Sequence, residues 1–307
     1  MPHSETFKIK DASSYDDVSA QFDVFSRTLT LPFAERMIRL AGVRPTDLIL
    51  DIGTGTGIVA FNAARSVPQG KVTGIDLSEG MLATAREKAQ QASPRSSVEF
   101  LRMDAERLEF KDGTFDVVLS LFAVLHFPNP SAALSEMFRV LRPGGRLVFA
   151  VGGGPALFST ATVVEGIRRV RQLFLQQTGR LLVAPAFLDS LVEKYLPEPV
   201  HTETSALAQA GLHRASDVLT LVREAKFTNV LTGWHGHRAV LKTVDEFWRI
   251  QSTFSSLARK RLAAAPADKL RALKDEFFTV CNQVQARGGN LEYPMGAFFV
   301  KAEKPRA

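Results

Sequence analysis

The chemically most pointed stretch of this sequence is a glycine run behind a carboxylate, Asp51-Ile52-Gly53-Thr54-Gly55-Thr56-Gly57. Glycines let a chain turn tightly and let its backbone approach a ligand closely. Asp76, in Gly74-Ile75-Asp76-Leu77-Ser78, follows about 20 residues after the loop, the spacing of an acid that meets ribose hydroxyls. Asp104, in Met103-Asp104-Ala105, adds a third acid. Two ligand classes compete for such a site. A dinucleotide loop reads G-x-G-x-x-G/A and needs a small residue at position 58, where this chain has Ile58. A carboxylate directly before the loop also repels a pyrophosphate. A ligand with a positive centre and no phosphate fits better, and S-adenosylmethionine, with its sulfonium, ammonium, ribose and adenine, is such a ligand.

These residues need a scaffold that brings three loops to one edge, and the hydrophobic pattern supplies it. Leu48-Ile49-Leu50 is an apolar run entering Asp51, and Ile58 to Ala64 reads as a helix behind the glycines. Lys71–Asp76, Val98–Met103, Phe115–Ser120 and Arg146–Val151 read as further strands. Helices over Glu79–Gln91, with Ser78 as N-cap, and Ser131–Leu141, stopped by Pro143-Gly144-Gly145, separate them. Short, continuously apolar strands alternating with helices imply a parallel sheet covered on both faces. Asp51, Asp76 and Asp104 then end three successive strands, on the rim where such sheets hold ligands.

With DIGTGTG at 51–57, GIDLS at 74–78, MDAERLEF at 103–110, FDVVLSLFAVLHF at 115–127 and RVLRPGGRL at 139–147, the chain resembles the class I S-adenosylmethionine-dependent methyltransferases, and among them the UbiE-like, type 11 small-molecule group. The resemblance covers roughly the first half. It implies an α/β, Rossmann-like seven-stranded sheet, mostly parallel with an antiparallel last strand, and S-adenosyl-L-methionine as cofactor. It also implies residue roles. Asp51 and Gly53 would hold the methionine end, Gly53 through its backbone, Thr54 would join the cofactor-binding residues, and Gly55 and Gly57 would permit close approach. Asp76 would bind the ribose, with Leu77 and Met81 near the adenine. Asp104 would meet the adenine amine, with Ala105 beside it. Ser120 and Leu121 would border the reacting methyl.

On that frame the chain reads as an N-terminal helical cap segment (1–45), a cofactor-binding core (46–152), a helical insertion (153–213), a core helix and sixth strand (214–242, with Val230–Leu241 as the strand), a second helical insertion (243–289) and a seventh strand and tail (290–307). Both insertions leave the carboxyl ends of strands, so a helical lid over the cofactor rim is expected. The expected activity is methyl transfer to a small acceptor, apolar or aromatic and in one version quinone-like. The alternatives are an RNA methyltransferase and a protein that binds S-adenosylmethionine without turnover. The fourth strand ends in SLFAVLHF, without the Asp/Asn-Pro-Pro-aromatic turn of adenine amino-methylation or a nucleophilic cysteine for cytosine.

Other residues carry less. His126 and Tyr15 are the candidate catalytic groups, His126 as a general base. His235 and His237 share a strand face, but further ligands for a metal are missing, so no metal is expected. Arg168, Arg169 and Arg171, like Arg259-Lys260-Arg261, read as solvated helix faces. They absorb much of the +6 charge without a polyanion. The single cysteine, Cys281, excludes an internal disulfide and multi-thiol methylation chemistry, and it reads as a structural residue off its helix's apolar stripe. Nothing at the N-terminus resembles a secretory signal and no apolar run approaches the length of a membrane helix, so a cytoplasmic chain without a membrane span is expected.

Overall fold

A computed structural model of the chain describes residues 8–9, 12–13, 15–91, 98–153, 160–196 and 215–306. Two compact units emerge, residues 1–154, 204–235 and 297–307 in the first and 155–203 and 236–296 in the second.

The first unit begins with helices α1 (Ser19–Leu29) and α2 (Leu31–Ala41). It then alternates β1 (Leu48–Ile52), α3 (Ile58–Ala64), β2 (Lys71–Asp76), α4 (Glu79–Gln91), β3 (Val98–Arg102), β4 (Phe115–Leu121), α5 (Pro130–Val140) and β5 (Leu141–Gly152). Helix α8 (Ala215–Glu224) follows the first insertion. Two long strands, β7 (Thr228–Leu241) and β8 (Asn290–Glu303), belong partly to each unit. The second unit holds α6 (Thr160–Gln177), β6 (Leu181–Val183), α7 (Ala186–Tyr195), α9 (Val244–Phe254), α10 (Ser256–Ala263) and α11 (Ala267–Ala286).

The strand order is β3-β2-β1-β4-β5-β8-β6, with β7 paired to β8 off that path. Strands β1 to β5 pair in parallel and β8 runs antiparallel to β5. The expected fold class holds, with eight strands instead of seven among the described residues. The additional one, β6, lies in a stretch read from sequence as helical and pairs in parallel with Asn290–Glu292.

Burial explains the apolar strands. Every residue from Phe115 to Ser120 is buried, because helices cover both faces of the sheet. On one face Leu50, Ile52, Val118, Phe149 and Val300 meet Leu134 and Met137 of α5 and Val222 of α8. Helix α5 starts where Asn129 Oδ1 accepts from the Ala132 N–H at 3.0 Å, with Pro130 at its first position. Helix α4 starts at Ser78, as expected, with Oγ accepting from the Met81 N–H at 3.2 Å.

Three sequence readings are corrected. Pro143-Gly144-Gly145 does not separate α5 from a strand at Arg146; β5 begins at Leu141 and absorbs the turn as an irregularity, Leu141 pairing with Phe115 and Arg146 with Val117. Cys281 lies on the buried stripe of α11 with Leu273, Phe277 and Val284, and burial pushes its thiol up to about 12, as befits an unreactive core residue. Arg259 is not solvated: it is buried, and Nη1 donates to the Thr253 carbonyl at 3.0 Å.

Candidate active site

The carboxyl rim of β1, β2 and β4 gathers the candidate cofactor residues within the first unit. Asp51 pairs with Gly74 of β2 and Leu119 of β4, which sinks its side chain between strands at 1% exposure. Oδ2 accepts from Thr54 Oγ1 at 2.6 Å. Oδ1 is buried and has no hydrogen-bond partner among the described residues. Burial raises the Asp51 carboxyl to about 7, reinforced by the charge of Asp76 and opposed by the Thr54 hydroxyl and a weaker approach of the Ala60 N–H. A buried oxygen held this way is costly unless a donor completes it.

The loop shapes the space beside that oxygen. Gly53 has φ +68°, and a Cβ there would collide with Ala123. Gly55 has φ +54°, yet a Cβ would find nothing within 4 Å. The open side of Gly55 is room for a ligand, whereas Gly57 lies against the rings of Phe61 and Phe100. Thr54 is buried, its N–H donating to the Ile75 carbonyl at 2.9 Å.

Asp76 ends β2 and organises the loop opposite. Its Oδ2 accepts from the Gly55 N–H at 2.8 Å and its Oδ1 from the Ser78 N–H at 3.0 Å. Burial raises its carboxyl, while those amides and the charge of His126 oppose the rise. Leu77 is half-buried and Met81 is 3% exposed. Asp104 receives the Glu106 N–H at 2.9 Å on Oδ1 and the Lys8 ammonium at 2.9 Å on Oδ2, while Ala105 is buried. An orphaned buried acceptor, an open glycine and two acids on one rim fit a cationic nucleoside ligand.

Ser120 lies deeper. It is fully buried, and its Oγ donates to the Ile52 carbonyl at 2.9 Å, tying β4 to β1. Leu121 is half-buried. Phe122, next in the chain, takes φ +61° and donates its N–H to the Ala150 carbonyl at 2.8 Å. A non-glycine residue with positive φ is unusual and concentrates at sites where the chain is held for a purpose. Behind it, Phe33 of α2 meets Phe122 edge-on at 5.4 Å, His235 edge-on at 5.5 Å and Phe299 in a stack at 6.5 Å. His126 closes a single 3-10 turn (Val124–His126), is exposed, and meets the Tyr15 ring edge-on at 6.4 Å. Among the described residues no cluster of three metal-ligating side chains exists, and no helix is long and apolar enough to cross a membrane.

Sequence reasoning did not find the N-terminal contributors. Asp16 Oδ1 accepts from Ser78 Oγ at 2.6 Å and the Gly80 N–H at 3.0 Å, capping α4 from more than sixty residues away. Lys8 also meets Glu106 at 2.5 Å. No local spacing announces such contacts. A Cβ on Gly80 would lie 2.6 Å from Asp16 Cα and 2.8 Å from its carbonyl oxygen. Gly80→Ala is therefore expected to displace the Asp16 segment at a cost of about 1–3 kcal/mol. Limited proteolysis should cleave the variant before α1 markedly faster than the parent; equal rates would count against this packing.

Comparison with known proteins agrees with this geometry. A family model described as a methyltransferase domain matches residues 49–145. A ubiquinone/menaquinone biosynthesis C-methyltransferase, UbiE, of Pseudomonas entomophila is 35% identical over 227 residues, 70% of this chain and 86% of that one. A demethylmenaquinone methyltransferase of Thermus thermophilus is 38% identical over 138 residues, 44% of this chain and 62% of that one. Among solved structures, the [4+2]-cyclase SpnF superposes with a TM-score of 0.56 at 18% identity, covering 98% of this chain and 97% of its own. The YcgJ protein from Bacillus subtilis gives 0.51 at 19% identity over 89% and 98%. At such identities the structural likenesses speak for the fold alone.

Proposed function

Given that this chain belongs to the class I S-adenosylmethionine-dependent methyltransferases, with UbiE-like relatives, we propose that it transfers a methyl group to a small organic acceptor with an apolar or aromatic body. S-adenosylmethionine is the methyl donor of this family. When bound, it supplies a methyl group already made electrophilic by the sulfonium. What remains for the protein is to bind, align and exclude water.

The observation that carries the reading is the buried, unpartnered Oδ1 of Asp51 beside the open face of Gly55. On this reading Asp51 takes a cationic end and Asp76 the ribose, with the Gly55 N–H held in place by Asp76. Gly53 and Thr54 shape the methionine end, Leu77 and Met81 the adenine side, and Asp104 with Ala105 its amine. Leu121 faces the acceptor, while Ser120 fixes the strand beneath it. His126 and Tyr15 are the groups available for proton transfer at the rim, and a base is needed only where the acceptor must lose a proton. The names of the relatives make a quinol-like aromatic ring the first acceptor class to try.

The test is incubation of the whole chain with isotopically labelled methyl donor and a metabolite extract. Label should enter a small product, and Asp51→Asn should abolish its entry. Label confined to RNA, or tight donor binding with no product from any fraction, would overturn the reading.

A further inference from the structure

Resting on the methyltransferase reading above, we propose that Lys8 is a positioning residue of the donor site: it holds the Asp104 carboxylate in place to receive the adenine amine. The N-terminal segment is thereby part of adenine recognition. The Lys8 ammonium lies between two acids of the loop after β3, 2.9 Å from Asp104 Oδ2 and 2.5 Å from Glu106 Oε2. Both acids reach one nitrogen, so their carboxylates are close neighbours that would repel each other without the cation. Glu106 is tied a second time, its Oε1 receiving the Asn129 N–H at 2.8 Å. Among the described residues Asp104 is otherwise held by the local Glu106 N–H alone, 2.9 Å from Oδ1. It is therefore the acid that turns toward water once the cation is gone.

Exposure separates the roles of the three side chains. Lys8 is 13% exposed and Glu106 12%, whereas Asp104 is 34% exposed. The Asp104 carboxylate thus keeps an accessible flank. Each of its oxygens receives one donor, and a carboxylate oxygen has lone pairs for two, so acceptor capacity remains for a ligand. Burial works against the Lys8 charge, yet the hydrogen bonds to Glu106 and Asp104 outweigh it and hold the ammonium above the ordinary lysine range. The same segment is fastened to the neighbouring rim. Asp16 receives the Ser78 hydroxyl and the Gly80 N–H after β2, and the Tyr15 ring meets His126 after β4. Lys8 therefore reaches the loop after β3 from a segment anchored beside the other two. A carboxylate fixed there accepts from an adenine amine and repels the carbonyl oxygen that hypoxanthine carries in its place.

Calorimetric titration of the whole chain with S-adenosylhomocysteine and with S-inosylhomocysteine, its hypoxanthine counterpart, tests this. The wild type should prefer the adenine ligand by about tenfold or more, the range of one charge-assisted hydrogen bond. Lys8→Met should reduce that preference to about threefold or less, and Lys8→Arg, which can bridge both acids, should keep most of it. A general loosening of the N-terminal segment would weaken both ligands alike and leave their ratio unchanged. An unchanged ratio in Lys8→Met, a loss in Lys8→Arg as complete as in Lys8→Met, or no preference in the wild type overturns the proposal. A wild type that binds neither ligand removes the methyltransferase reading itself, a separate result. Should the methionine variant fold poorly, Lys8→Gln is read by the same ratio.

Discussion

Asp51→Asn is expected to stabilise the ligand-free protein at neutral and alkaline pH and at the same time to remove most of its affinity for the methyl donor. Burial holds the Asp51 carboxyl near 7 against an ordinary 3.8, so between those values the native state binds a proton that the unfolded chain has released. The stability contributed by that proton is fully present below about 4 and is lost as pH rises through 7. Integrated across the window, the loss is bounded at about 4 kcal/mol. The asparagine removes this slope, offset by about 1–3 kcal/mol for an amide left in place of the unpartnered oxygen. Urea unfolding between pH 5 and 8 should show wild-type stability falling and the variant nearly flat; identical slopes would refute the assignment.

The donor side runs the other way. A ligand carrying sulfonium and ammonium needs the carboxylate, so wild-type affinity should rise with pH up to about 7 and then level off, whereas the variant should be flat and about a hundredfold weaker. Calorimetry across the same pH range reads both. On the proposed assignment, the free protein carries a buried acid whose cost the cationic ligand should relieve.

The second large effect belongs to Asp76. Its two oxygens receive the Gly55 and Ser78 amides, so it supports the glycine loop in addition to the ribose contact proposed for it. Asp76→Ala should lose both: about 3 kcal/mol of donor affinity, or roughly a hundredfold, together with a smaller loss of stability from freed loop amides. Asp76→Asn should keep part of the loop support and lose less. A donor affinity unchanged in the alanine variant would remove Asp76 from the site.

The cofactor half of the molecule was legible because its signals are local and periodic. Lys71–Asp76 and Glu79–Gln91 match their sequence limits, since strand and helix each declare themselves by composition and by a boundary residue, Ser78 in the second case. Features that depend on distant partners were not. Strand β6 is three residues long, too short to show a period, and exists because β8 offers it an edge. The stripe of α11 was read as leaving Cys281 off it, whereas burial runs through Leu273, Phe277, Cys281 and Val284, an orientation fixed only by what the helix packs on. Asp16 and Lys8 reach residues more than sixty positions away, and Phe33 stacks on Phe299 only once β8 is paired with β5.

That pairing also bears on how the protein is made. Strand β8 lies inside the sheet, against β5, yet follows every other strand in the sequence. During synthesis β5 leaves the ribosome long before its neighbour, and both insertions must be translated while one edge of the nascent sheet stands unpaired. Exposed strand edges invite pairing with other chains. Expression yield should accordingly respond to chaperone supply and to translation speed across the second insertion more than to changes in β1 or β2. A chain stopped before Ala297 should accumulate as aggregate.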